Sequence, residues 1–572
     1  MTAPHAHPAD PAALPADATA LARPGYRLAD ALWADQGTVF LTGTQALLRL
    51  MRMQRQRDAA AGLATQGFLS GYRGSPLGMV DQAVWKAGDR FTQQGIRFLP
   101  AINEELAATA VLGTQRVEAD PARTCDGVFA MWYGKGPGVD RAGDALKHGH
   151  AYGASPHGGV LMVAGDDHGC VSSSMPHQSD QAFQSWHAPV VSPGNVAEMI
   201  EFGLYGWALS RYSGAWVGFT ALSEVVESGT TVDLDAIQAR AAAWADGATV
   251  RSATGHQAPA DGLHNRWPDL PSLKIEERLQ AKLDAVLAFA RVNSIDREVV
   301  ASARATRGIV TAGKAHFDLM EVLRRLAITP DQLAQAGVRM LKLGLTFPVE
   351  PQRLRQFAHG LVELLVIEEK GAVVETQLRT LFYNAPAGQR PAIVGKADAT
   401  GAPLVSALGE LRPSKLITLV ADWLAAHSAT LDRRAGVGDF TAPALLSNSA
   451  DSVKRAPYFC AGCPHNTSTR VPEGSSAQAG IGCHFMASWM DRGTQGLIQM
   501  GGEGVDWVSH AMFSRTPHIF QNLGDGTYYH SGYLAIRQAV AAQATLTYKI
   551  LFNDAVAMTG GQPVDGQISV AG

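Results

Sequence analysis

The sequence has no run of 18 or more apolar residues, and so no segment that would cross a membrane as a helix. Cysteine is scarce. Five in 572 residues, an odd and scattered set, argue against the disulfide framework of a secreted protein and make the cytoplasm the default setting. Neither sign of charge dominates. The formal net charge of -4 gives no reason to expect nucleic acid or an anionic membrane as partner. Charged residues make up only 17 %, against 46 % hydrophobic, a balance that suits large buried cores rather than disorder. The first residues, rich in Pro, Ala and Asp, lack the basic start and apolar core of a secretion signal. They read as a flexible arm over 1–34.

What the sequence has in quantity is glycine: 59 residues, many in short clusters where a backbone must turn tightly or approach a ligand. At roughly 150 residues per domain, the length predicts three or four domains. The first block, 35–235, alternates glycine-rich turns with apolar runs such as Gly159–Ala164 and Ala215–Leu222, which read as buried parallel strands. Thr44–Arg57 and Glu104–Val117 read as helices, completing an α/β pattern. Residues 236–301 read as a helical connector, with apolar residues at helical spacing over Lys274–Val292 after an irregular crossing. A smaller α/β block spans 302–435, with apolar runs at Gly308–Lys314 and Leu361–Glu368. The alanine-rich stretch Leu424–Ser449 leads to a third block, 450–572. There His518–Asn522 and Thr547–Phe552 read as strands and Ser531–Ala544 as the helix between them. Its pattern is still unfolding at the last residue, so this block is expected to be incomplete at its C-terminal end.

The most informative spacing is Gly524-Asp525-Gly526, then 26 residues, then Asn553. Asp525 would end one strand and open a helix, and Asn553 would end the next strand. A right-handed βαβ unit sets those two carboxyl ends side by side. Their side-chain oxygens could then hold one Mg²⁺, a hard ion that keeps phosphate oxygens and water as its other ligands. A lone GDG is ordinary turn chemistry. With the spaced Asn it resembles the magnesium–diphosphate motif of thiamine diphosphate enzymes, and Met558-Thr559-Gly560-Gly561-Gln562 is typical of 2-oxoacid:ferredoxin oxidoreductases.

Thiamine catalysis needs a carboxylate beside the aminopyrimidine, and such a group works best buried, with its pKa raised toward neutrality. Asn103-Glu104-Glu105-Leu106-Ala107-Ala108 offers two. Gly113, nine residues after Glu104, makes Glu104 the better candidate. The plain alternative is a pair of solvated charges in a helix's first turn, where the dipole favours them. One is expected to be buried and the other exposed.

Further segments carry a resemblance: Ser70-Gly71-Tyr72-Arg73-Gly74-Ser75-Pro76-Leu77, Tyr133–Arg141, Gly165–Cys170 with Ser172–Ser174, Tyr458–His465 and Gly480–Met486. Together they look like the large, fused indolepyruvate ferredoxin oxidoreductases of bacteria, from about Gly25 to the last residue. The resemblance implies a multidomain α/β protein with a thiamine-diphosphate-binding fold and a smaller domain like the C-terminal one of transketolase. It implies oxidative decarboxylation of aryl-2-oxoacids such as indolepyruvate, with ferredoxin accepting electrons and coenzyme A the acyl group. Glu104 would be catalytic. Ser75 and Arg73 would face substrate. Gly524, Asp525, Gly526, Asn553, Thr559 and Gly560 would hold the cofactor, and Lys135–Gly138 would lie near it. A homo-oligomer is expected. The family's chains are longer, so this one reads as a fragment, or as a subunit whose remainder is separate. Six histidines from His148 to His187 match no metal-site spacing.

Cys460-x-x-Cys463 followed by Cys483, with His465 and His484 nearby, reads as metal or cluster binding. Zinc bound by three cysteines and a histidine is one possibility. In the resembled family, similarly placed cysteines hold a [4Fe–4S] cluster, which normally takes four thiolates. The fourth would fall beyond Gly572. Cys125 and Cys170 read as buried apolar side chains. Two rival readings remain: a non-oxidative thiamine diphosphate decarboxylase, and an inactive cofactor-binding fragment or assembly subunit.

Overall fold

The computed structural model describes residues 25–266, 272–439 and 457–567. Most of the N-terminal arm, part of the irregular crossing and the end of the alanine-rich stretch lie outside them. Within the expected arm, Asp30–Trp33 is a short helix with Ala31 buried, and Arg49 donates to the Ala31 carbonyl at 3.2 Å. The arm therefore docks before residue 35.

The architecture is α/β, with three mainly parallel sheets flanked by helices. Continuous apolar sequence makes the central strands. Val160–Asp166 and Trp216–Leu222 are buried at every position, because helices cover both faces of a parallel sheet. In spatial order the first sheet runs Leu345–Phe347, Val190–Val191, Trp216–Leu222, Val160–Asp166, Val128–Lys135, Gln66–Gly71 and Ile96–Pro100. All neighbours are parallel except the first pair. Two long helices, Gly43–Ala60 and Val196–Ser213, pack together in its core. A Thr42–Gln45 capping box starts one, and the Asn195 side chain, accepting from Glu198 N, starts the other. Gly214 ends the second at φ +69°, where a Cβ would lie 2.2 Å from the Leu263 carbonyl oxygen.

The second sheet runs Ala392–Val394, Glu363–Ile367, Arg307–Ala312, Val338–Leu343 and Arg297–Val300, with the last strand antiparallel. Two edges correct the boundaries read from sequence. Arg297–Val300, assigned to the connector, pairs with this sheet, four residues being too short to show a period. Leu345–Phe347, inside the second block, crosses to pair with Val190–Val191 of the first sheet. The connector holds the helix Lys274–Val292.

The third sheet is parallel: Thr494–Gln495, Ala477–Gln478, Ile519–Gly524 and Leu546–Leu551. The helix expected from Ser531 starts earlier and is not uniform. It opens at Asp525–Thr527, takes a π-helical turn over Tyr528–Gly532 and becomes α-helical over Tyr533–Ala541. Likewise Glu104–Thr114 stops short of Val117 and yields to a 3₁₀ turn. No helix among the described residues is long and apolar enough to cross a membrane.

Candidate active site between the first and third sheets

Loops at the carboxyl ends of the first sheet's strands face the start of the Asp525 helix. Ligands of open α/β sheets bind at such carboxyl ends. Asn103 caps Glu104–Thr114, its side chain accepting from Leu106 N at 3.0 Å, so Glu104 takes the first helical position. Trp132 Nε1 donates to the Glu104 carbonyl at 2.9 Å. The carboxyl group is buried. A Cβ on Gly138 would lie 2.7 Å from Glu104 Cγ, so only glycine lets that helix approach so closely. Glu105 is half-buried and faces Arg141 at 3.8 Å.

The partner of Glu104 comes from the third sheet's helix. His530 Nε2 lies 2.7 Å from Glu104 Oε2, and both side chains are buried. The other ring nitrogen meets Ser531 Oγ at 2.6 Å. Asn103 Nδ2 donates to the His530 carbonyl at 3.2 Å, and the Tyr72 ring packs edge-on at 4.7 Å. This pairing reverses the expectation of a raised carboxyl pKa. Burial pushes Glu104 up, but the charge and hydrogen bond of His530, with help from Arg141, hold it below its ordinary value. A second buried carboxylate behaves oppositely. Glu503 accepts backbone N–H groups from Gly501 at 2.7 Å and Ile481 at 3.3 Å, yet burial pushes it up to about 7.

Asp525 sits at the end of Ile519–Gly524, and Asn553 two residues past Leu546–Leu551, its parallel neighbour. Asp525 Oδ2 accepts from Asn553 N at 3.0 Å and Asp554 N at 2.6 Å, while Oδ1 accepts from Gly526 N at 2.9 Å. Asp525 is buried and Asn553 exposed. Beyond them, the Thr559–Gln562 turn docks on the first block. Gln562 Nε2 donates to the Gly78 carbonyl at 2.7 Å, Gln82 Nε2 to that of Gly560 at 2.9 Å, and Thr559 Oγ1 to Gln562 Oε1 at 2.9 Å.

Arg73 does not face an open site. It is buried, with Nε donating to Asp81 at 2.8 Å, Nη1 to the Pro563 carbonyl at 2.7 Å and Nη2 to Asp565. Its place is a clasp between blocks. Ser75 is half-buried and accepts from Ser172 Oγ at 2.7 Å, and Lys135 Nζ donates to the Ser172 carbonyl at 2.6 Å. Burial pulls the Lys135 amine down, against Asp167 and Cys170.

Cys483 is half-buried near Cys460 and Cys463. Burial, then Cys463 and Cys460, push the Cys483 thiol up. Even so, no group of three or more His, Cys, Asp or Glu side chains among the described residues is arranged to hold a metal ion. Cys125 and Cys170 are half-buried rather than buried. His530, Ser531 and Glu503 were not singled out in the sequence, although Glu503 stands in the glycine cluster Gly501-Gly502-Glu503-Gly504 and His530 lies five residues past Asp525.

Residues 297–437 match the indolepyruvate oxidoreductase domain family. The indolepyruvate oxidoreductase subunit IorA of Methanothermobacter marburgensis is 23 % identical over 559 residues, 94 % of this chain and 79 % of that protein. Its namesake from Thermococcus kodakarensis is 28 % identical over 283 residues, 45 % of this chain and 40 % of that one. A 2-oxoglutarate:ferredoxin oxidoreductase structure from Magnetococcus marinus superposes with a TM-score of 0.46 and 16 % identity, over 68 % of this chain and 65 % of that chain. The class these relatives define is that of oxidoreductases. The chain is similar to the indolepyruvate oxidoreductase family in residues 297–437 and to these subunits along most of its length.

Proposed function

We propose that the chain binds thiamine diphosphate and Mg²⁺ and oxidatively decarboxylates a 2-oxoacid, an aryl one such as indolepyruvate. In this reading ferredoxin takes the electrons and coenzyme A the acyl group. The observation that carries it is one interface holding both halves of the expected cofactor site: the buried Glu104 carboxyl meets His530 on the very helix that Asp525 opens.

The residues fit the cofactor. Asp525 and Asn553 offer side-chain oxygens at adjacent strand ends, the donor type that Mg²⁺ prefers, with phosphate and water left to complete its shell. Gly524 and Gly526 flank that carboxylate, and Thr559 and Gly560 stand on the turn docked against Gly78 and Gln82. When bound, thiamine diphosphate supplies a nucleophilic carbon and an electron sink for the loss of CO₂. Glu104 would set its buried carboxyl beside the aminopyrimidine, to exchange a proton with it. Ser75, hydrogen-bonded to Ser172 beside Lys135, orients the substrate, while Tyr72 and the Thr559–Gln562 turn exclude water.

Cys460, Cys463 and Cys483 supply three of the four thiolates that a [4Fe–4S] cluster takes, and among the described residues they form no group arranged to hold a metal ion. The second reading is a non-oxidative decarboxylase, in which these cysteines carry no cluster. Anaerobic reduction of ferredoxin or a viologen with indolepyruvate, coenzyme A, Mg²⁺ and thiamine diphosphate separates the two. Reduction supports the oxidative reading; CO₂ release with no reduction supports the second. Neither, despite bound cofactor, overturns indolepyruvate as the substrate.

A further inference from the structure

The π-helical turn Tyr528–Gly532 is the irregular element of the candidate site. Such turns are rare and gather at functional sites, because the extra residue re-aims the side chains around it. Here it directs His530 toward the first sheet. The ring touches Glu104 through Nε2 and Ser531 through Nδ1. Nε2 points at the Glu104 carboxylate and Nδ1 at the Ser531 hydroxyl, so both ring nitrogens are held by a hydrogen-bond partner. Hydroxyl, imidazole and carboxylate stand in the order of a nucleophilic triad. Ser531 is only 1 % exposed, however, so a substrate cannot reach it.

We propose that His530 is the positioning residue of Glu104, its imidazole, fixed by Ser531, setting the orientation and proton occupancy of the Glu104 carboxyl. This rests on the reading of Glu104 as the cofactor-facing carboxylate. Other groups around the pair are Arg141 from the helix Gly136–Arg141, Tyr72 from the loop after Gln66–Gly71, and Glu503 from the glycine loop. Arg141 acts with His530 in favouring ionised Glu104. Burial of the carboxyl acts against both. Without the imidazole the burial effect gains, and Glu104 keeps its proton to higher pH.

The test uses the full chain and calorimetric titration with thiamine diphosphate and Mg²⁺, from mildly acid to mildly alkaline pH. His530→Gln keeps a donor toward Glu104 but carries no charge. It should bind the cofactor, with the pH at which affinity changes moved up by about one unit. His530→Ala, which loses the hydrogen bond as well, should lose a further tenfold or so in affinity at every pH. Ser531→Ala frees the ring to turn away from Glu104 and should move the profile the same way by less. Circular dichroism melts identify a variant that fails to fold, and Ser531→Ala then decides. Profiles of His530→Gln and Ser531→Ala that superpose on that of the unaltered chain overturn the inference and leave the proposed function standing. No cofactor binding by the unaltered chain overturns both.

Discussion

Arg73 Nη1 donates to the Pro563 carbonyl at 2.7 Å, joining the loop after the strand Gln66–Gly71 to a segment 490 residues later. The same guanidinium pairs with Asp81, and both side chains of that pair are 1 % exposed. Removing one partner of a buried pair strands the other charge, at a cost of about 3–5 kcal/mol. Arg73→Ala should therefore lower the thermal midpoint and expose residues 557–567 to proteolysis before global unfolding. Unchanged melting and cleavage would show that the clasp contributes nothing.

Glu104→Gln keeps the shape of the site and removes the carboxyl proposed to exchange a proton with thiamine diphosphate. Turnover should fall by about a hundredfold or more, the usual worth of a positioned acid–base group. The fold should survive, since an amide can still bond to His530. Deuterium exchange at the thiazolium carbon of bound cofactor, followed by NMR, measures the loss directly; exchange at the unaltered rate moves the role to another carboxyl, Glu503 first.

Asp525→Asn and Asn553→Ala should each raise the Mg²⁺ concentration needed for thiamine diphosphate binding, by about ten- to a hundredfold. The two changes differ in a second respect. Asp525 also accepts the backbone N–H groups of Asn553 and Asp554, so its loss should loosen that turn, whereas Asn553→Ala should leave stability nearly unchanged. Cofactor titrations at several Mg²⁺ concentrations, with melting curves, separate binding from folding.

Burial, with Asp166 and Glu368 nearby, pushes Asp180 up to about 7, and its Oδ1 has no hydrogen-bond partner. A carboxyl with a raised pKa in the folded state holds its proton better folded than unfolded. Its contribution to stability is thus full below the ordinary aspartate range and falls as pH rises toward about 7. Asp180→Asn should abolish this fall and melt a few degrees higher than the unaltered chain at mildly alkaline pH, with little difference in acid. Parallel melting curves across the range would refute the assignment.

The long elements were legible in sequence because each carries its own period. Val160–Asp166 and Trp216–Leu222 are unbroken apolar runs, and Lys274–Val292 has a helical stripe. The spacing from Asp525 to Asn553 was legible for a related reason: one βαβ unit is a local structure, and its strand ends must be neighbours. Short edges were not. Arg297–Val300 and Leu345–Phe347 owe their conformation to partners far along the chain.

The sequence by itself determined the α/β class, the glycine turns and the carboxyls and amides available for chemistry, since these depend on local pattern and residue type. Tertiary structure alone decided which of them meet. His530 reached Glu104 through a π turn that no propensity announces, and reversed the direction in which burial drives that carboxyl. Arg73 became a clasp because Asp81, Pro563 and Asp565 converge on it. A pKa, like a role, belongs to the neighbours a fold assembles, and the chain order does not contain them.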